Sequence, residues 1–147
     1  TANLCANVIG QYVFGAVAHM SSNEIIDWYS GQRAYYYKTI NRLIKGLNDE
    51  LPGIILSSPG AAIYIVLDFK NITPSDFDIS EFIDYCSLNG KIKLNGIYHT
   101  LLLSPMEGFF NNKSKGKKQA RIALVEPKSK MKIVPKILSR LLKKYLC

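Results

Sequence analysis

One arginine stands near the start of an otherwise apolar, strand-like run, Gln119-Ala120-Arg121-Ile122-Ala123-Leu124-Val125-Glu126, just after a lysine-rich polar loop. Ile, Leu and Val suit a pleated, buried surface, and a guanidinium set among them needs an anionic partner. Arginine's planar fork donates two parallel hydrogen bonds to such a group. Arg121 therefore reads either as a positioned anion receptor or as half of a structural ion pair, with Glu126 or Asp68 as its partner in the second case.

The other chemistry-bearing residues have quieter readings. His19 and His99 lack both metal-ligand spacing and a carboxylate companion. The three cysteines, Cys5, Cys86 and Cys147, form no C-x-x-C pair, so a reduced cytoplasmic setting is the simplest account and a structural zinc site is not expected. Cys86 falls in a helical stretch with no base nearby in sequence, which implies an inert, buried thiol. Asp76, Asp78, Glu81 and Asp84 fit the acidic first turn and solvated face of a helix. Lys113, Lys115, Lys117 and Lys118 occupy a polar loop, where an amine stays protonated and is a poor nucleophile. Gly108 reads as relief for a tight stretch of backbone.

Length and composition bound these readings. A chain of 147 residues makes one typical domain with a real core. Its 48% hydrophobic and 20% charged residues mark a folded chain, not a disordered one. No apolar run approaches the ~18 residues of a membrane span, and the start lacks the marks of a signal peptide. Charge is uneven: residues 111–147 hold 12 of the 19 Lys and Arg and a single acid, Glu126, a net +11. The first 110 residues carry seven basic against ten acidic side chains, a net −3. A basic segment of this kind could recruit nucleic acid or an anionic membrane. Its lysines are not interleaved with aromatics that could stack on bases, and several fall on the polar side of a helix. Neither partner is expected.

The elements that must position these residues follow a mixed α/β order. Residues 7–20 read as a buried helix, weakened by Gly10 and Gly15. Ser21-Ser22-Asn23-Glu24 has the form of a capping box opening a long helix over residues 24–51. Ile25, Tyr29, Tyr36, Ile40, Leu43, Ile44, Leu47 and Leu51 lie on one stripe, and Pro52-Gly53 stops it. At ~1.5 Å per residue such a helix outruns a small domain and would bridge two bodies, with a boundary near residue 51. Residues 54–57 and 61–69 are strand candidates around Ser58-Pro59-Gly60. Residues 77–89 read as a helix capped by Asp76, Asp78 or Ser80 and ended by Gly90. Residues 91–94 and 97–104 pair around Asn95-Gly96, the strongest short hairpin signal. After the Arg121 strand comes a final helix capped near Ser129, with Val134, Ile137, Leu138, Leu141, Leu142 and Tyr145 on one face.

Five pieces then occur in a telling order. They are Asn7-Val-Ile-Gly-Gln11; the long helix with Trp28, Arg33 and Tyr36; Ser58-Pro-Gly-Ala-Ala-Ile-Tyr64; Pro105-Met-Glu-Gly-Phe109; and Ala120-Arg-Ile-Ala123. Together they resemble the C-terminal part of the class I/II aminotransferases, pyridoxal-phosphate enzymes of fold type I similar to aspartate aminotransferase. The resemblance covers nearly the whole chain. It implies an α/β enzyme whose C-terminal small domain, a small sheet packed with helices, is the α+β body seen here. Residues 1–51 would close the large domain and form the interdomain helix, and residues 52–147 would be the small domain.

The resemblance also implies roles. In the family, the arginine of the Arg-Ile-Ala element grips the substrate's α-carboxylate, and Arg121 matches it. Phe109 lies in an element near the active site of relatives, so it would line the substrate pocket, with core packing as the alternative. The parent would move an amino group between an amino acid and a 2-oxo acid, and on fold analogy would be a homodimer. The reaction needs a lysine that forms a Schiff base with pyridoxal phosphate and an acid beside the pyridine nitrogen. In the family both lie upstream of the resembled region, and nothing here matches them. The chain is therefore expected to be the end of a longer enzyme and inactive alone. Pro105-Met106-Glu107-Gly108 and the hairpin at Asn95-Gly96 depart from the usual pattern where substrate side chains are chosen, which leaves the amino acid open. Two rivals stand: a non-catalytic module that turns its basic segment on an anionic partner, and an acyltransferase or lyase relative in the same fold.

Overall fold

Residues 7–147 are described by a computed structural model; Cys5 lies outside the described residues. The first helix, α1 (Val8–Ala16), is capped by Asn7, whose side chain accepts from Gly10 N at 3.0 Å. None of its residues is buried, and Val8, Ile9, Tyr12, Val13 and Phe14 are 63% to 80% exposed. This corrects the expectation of a buried helix over residues 7–20. Apolar composition shows that a face favours cover, whereas the core assembles from Ile40 onward.

The capping box forms as expected. Ser21 Oγ accepts from Glu24 N at 3.3 Å, and Glu24 Oε2 accepts from Ser21 N at 2.7 Å, opening α2 (Ser22–Glu50). The Ser21 N–H first, and its hydroxyl second, hold the Glu24 carboxyl below its usual value. A carboxyl depressed in the folded state stabilises above its unfolded pKa, and that contribution fades as pH falls through the folded value. Acidification from neutrality into the carboxylate range should therefore fray the first turn of α2. We expect Cα chemical shifts of residues 22–25 to move toward coil values, and Glu24→Gln to abolish that movement; a first turn that titrates identically in both proteins would contradict this.

Inside α2 the chain divides into two compact units, one ending at Tyr35 and the other running from Tyr36 to Cys147. Along the second unit's share of α2, Thr39, Ile40, Leu43 and Leu47 are buried at helical spacing. Two strands follow, β1 (Ile55–Leu56) and β2 (Tyr64–Asp68). Ala62 adopts φ 67°, in the left-handed region, so the extended run starts at residue 64 and not at the expected 61. Asp78 caps α3 (Ile79–Leu88) by accepting from Ser80 N at 2.8 Å. The hairpin of β3 (Ile92–Leu94) and β4 (Ile97–His99) turns on Asn95 at φ 50° and Gly96 at φ 83°, the two positive angles a tight primed turn requires.

Beyond His99 the chain leaves the hairpin. Ser104 joins a different sheet as β5 (Ser104–Pro105), and β6 (Gln119–Ala123) completes it. The last expected helix is two: α4 (Lys128–Met131), preceded by Pro127 and not capped by Ser129, and α5 (Val134–Leu146). Pro135 explains the restart, because a residue without an N–H is tolerated only in a helix's first turn.

The larger sheet is antiparallel in the order β1-β2-β6-β5. One face carries Ile65, Leu67 and Phe69 beside Ala120, Ile122 and Leu124, each 3% exposed or less. These share a single core with Leu43 and Leu47 of α2, Phe82 and Cys86 of α3, and the expected α5 stripe Val134, Ile137, Leu138, Leu141 and Leu142. Ser139 is buried on α5, and its hydroxyl donates to Glu50 O at 3.1 Å, giving an end-of-helix carbonyl of α2 its partner. Among the described residues no helix is long and apolar enough to cross a membrane.

Candidate functional site

Arg121 sits mid-strand in β6, with its register fixed from both sides: it faces Val66 of β2 and Ser104 of β5. Directly paired residues share a face of a sheet, and successive residues alternate. Tyr64, Val66 and Asp68, with Gln119, Arg121 and Ala123, therefore occupy the face opposite the core. Alternation along β6 turns Ala120 and Ile122 into the core and leaves Arg121 half-buried.

Two rings flank the guanidinium. Its Cζ lies 4.5 Å from the centroid of Tyr64 and 4.8 Å from that of Phe109. Contacts of this kind are electrostatically attractive and limit the rotamers a long cation can explore. Neither acid suggested by the sequence reaches it. Glu126 pairs with Lys130 Nζ at 3.0 Å, and Asp68 accepts from Gln119 Nε2 at 2.9 Å and from Lys70 N at 3.0 Å. Among the described residues Arg121 makes no ion pair, and its Nε is buried without a hydrogen-bond acceptor. An unsatisfied buried donor costs about 1–3 kcal/mol, which an incoming acceptor would recover. The structural ion-pair reading of Arg121 is thus not what the fold builds.

Phe109 reaches this site by a short path. Met106 N donates to Gln119 O at 3.0 Å, tying the end of β5 to β6, and a 3-10 turn over Glu107–Phe109 follows at once. The ring is 61% exposed, so the core-packing alternative for Phe109 does not hold. A second 3-10 turn, Lys113–Gly116, packs against the first. There Gly116 is indispensable: a Cβ would lie 2.5 Å from Glu107 Cα and 2.6 Å from its N. Gly108 has open space, so the tight backbone assigned to it belongs to Gly116 instead. Gly116→Ala should push the Phe109 turn away from β6 at a cost of about 1–3 kcal/mol, as overpacked sites do. Loss of the ring-current shift on the Arg121 side chain is the expected signature; an unchanged Arg121 spectrum would contradict it.

The remaining candidates stay apart from Arg121 chemistry. Cys86 is 2% exposed and burial pushes its thiol up to about 11, so it is no nucleophile near neutral pH. Asp78 is spent as a cap, and Glu81 lies in the first turn of α3, where it accepts from Tyr145 Oη at 3.5 Å. Tyr64 is the residue that sequence reasoning did not single out. Its contact with Arg121 depends on a strand pairing across 57 positions, and β2 alone carries no signal of it.

The sequence matches no family model and no curated protein. Solved structures do share its fold. A kynurenine aminotransferase from Pyrococcus horikoshii, solved with PMP, aligns over 78% of this chain and 25% of its own, with 16% identity and a TM-score of 0.59. The chain has an aminotransferase fold. An archaeal alanine:glyoxylate aminotransferase aligns over 74% of this chain and 24% of its own (22% identity, TM-score 0.57). The α-aminoadipate aminotransferase LysN of Thermus thermophilus aligns over 76% and 25% (14% identity, TM-score 0.56). This instance of the aminotransferase fold spans about a quarter of the length of those enzymes.

Proposed function

We propose that the chain is the C-terminal part of a pyridoxal-phosphate-dependent aminotransferase, which moves an amino group between an amino acid and a 2-oxo acid. In this reading residues 1–51 complete the large domain and form the interdomain helix, and residues 52–147 are the small domain. Arg121 binds the substrate's α-carboxylate, and the exposed ring of Phe109 borders the bound substrate. The parent works as a cytoplasmic homodimer.

One observation carries the reading: a half-buried arginine, flanked by Tyr64 and Phe109, has a buried Nε without an acceptor and no ionic partner among the described residues. A planar carboxylate fits a donor edge of that kind with two parallel bonds. Holding the carboxylate orients the amine it is joined to, and orientation lowers the barrier to reaction. The rival reading, a basic non-catalytic module, leaves the arrangement around Arg121 without a purpose.

Pyridoxal phosphate, when bound, supplies the electron sink for the chemistry. The described residues of this chain do not fit its attachment point. A lysine that forms a Schiff base must be a neutral amine in a desolvated pocket. Every lysine side chain described here is exposed except Lys118, which is half-buried and donates to Pro74 O. We therefore assign the chain substrate holding and no cofactor step. The coding frame upstream of Thr1 tests this directly: it should encode a Schiff-base lysine within roughly 60–200 residues. A long frame without one would remove the enzyme claim.

A further inference from the structure

The uneven charge of the sequence has a structural consequence away from Arg121. A cleft of about 510 Å³ opens between the second unit's part of α2 and the segment around α4, lined by Thr39, Arg42, Lys45, Asp49, Lys128 and Lys132, with Leu43 and Met131 beneath. Four cations face one carboxylate, and that carboxylate is already held by Lys45 Nζ at 2.7 Å. The cations come from two segments more than 80 residues apart. Only Lys128 and Lys132 belong to the basic segment 111–147; Arg42 and Lys45 lie in the first 110 residues, whose net charge is −3. The fold gathers positive charge here where composition alone would not.

We propose that this cleft binds a small phosphorylated molecule, a phosphate ester or pyrophosphate, independently of Arg121. Its size is that of a small-molecule site, within the ~300–1,000 Å³ usual for such sites. Lysine ammonium groups are compact point charges suited to phosphate, and Arg42 adds a fork that can grip two of its oxygens. Leu43 and Met131, 2% and 4% exposed, close the floor. Among the described residues Asp49 is the only acid in the lining, so it opposes binding of an anion.

Titration of the 147-residue chain with pyrophosphate, followed by amide chemical shifts and calorimetry, tests this. Shifts should concentrate at residues 39–49 and 128–132. Arg42→Ala and Lys132→Ala should each weaken binding about five-fold or more, the scale of losing one partly screened charge-assisted contact. Asp49→Asn should tighten it about three-fold, a gain that structural damage cannot produce. Lys143→Ala, which removes an equal charge at an exposed position of α5 outside the lining, should change it less than about two-fold. Equal losses in Lys143→Ala and Lys132→Ala would overturn the proposal, as would unchanged binding in Asp49→Asn. It would also fail if a short RNA bound more tightly than pyrophosphate with losses spread over all the lysine variants. Arg121→Lys leaves the predicted pyrophosphate affinity intact, so failure here and failure of the carboxylate site are separately visible.

Discussion

Arg121→Lys, made in the full-length parent, should lower kcat/KM for amino-acid substrates by two or more orders of magnitude. Lysine keeps the charge but replaces the in-plane fork with a single ammonium, so one of two parallel hydrogen bonds and the fixed plane are lost together. A hundred-fold loss corresponds to about 2.7 kcal/mol at 1.36 kcal/mol per tenfold. The same variant also forfeits the planar contact with Tyr64 and Phe109, which sit 4.5 and 4.8 Å from the guanidinium carbon. Steady-state kinetics with both the amino acid and the 2-oxo acid should show the loss, since both carry the carboxylate. Unchanged kinetics would remove Arg121 from the site.

The largest stability effect should come from Phe82→Ala, at about 3–5 kcal/mol, the range for emptying a buried aromatic site. Phe82 is fully buried, with ring centroids 5.9 Å from Phe77, 6.3 Å from Phe69 and 5.3 Å from Tyr145. Phe69 follows β2, Phe82 sits in α3 and Tyr145 in α5, so the cavity would lie where sheet and helices meet. Urea denaturation should show a lower midpoint with an unchanged slope. A loss below about 1 kcal/mol would mean that this aromatic cluster is not the keystone of the second unit.

Much of the fold was legible because its signals are local. Asn95-Gly96 demands two positive φ angles, and the hairpin forms there. The apolar run around Arg121 declares a strand, and the apolar stripe of α5 declares one buried face. Ser21 and Glu24 declare a helix start through their own hydrogen bonds. What was hidden depends on contacts between distant segments. Tyr64 meets Arg121 only once β2 and β6 are paired in register. Gly116 looks like any loop glycine until its turn packs on Glu107. The exposure of α1 has a different origin, since an apolar helix signals that it favours cover without naming what supplies it. Pro135 is itself a local signal, because it dictates where the last helix can begin.

The central claim is that Arg121 is a carboxylate receptor, and its side-chain N–H signal reports on it most directly. The chain has four arginines, Arg33, Arg42, Arg121 and Arg140, so their Nε–H resonances can be assigned individually. Titration of the isotopically labelled 147-residue chain with a 2-oxo acid should move the Arg121 Nε–H saturably downfield, as a donor without an acceptor gains one, and leave Arg33 and Arg140 nearly still. An Arg121 signal that does not respond, or that moves no more than those of the exposed arginines, would contradict the account.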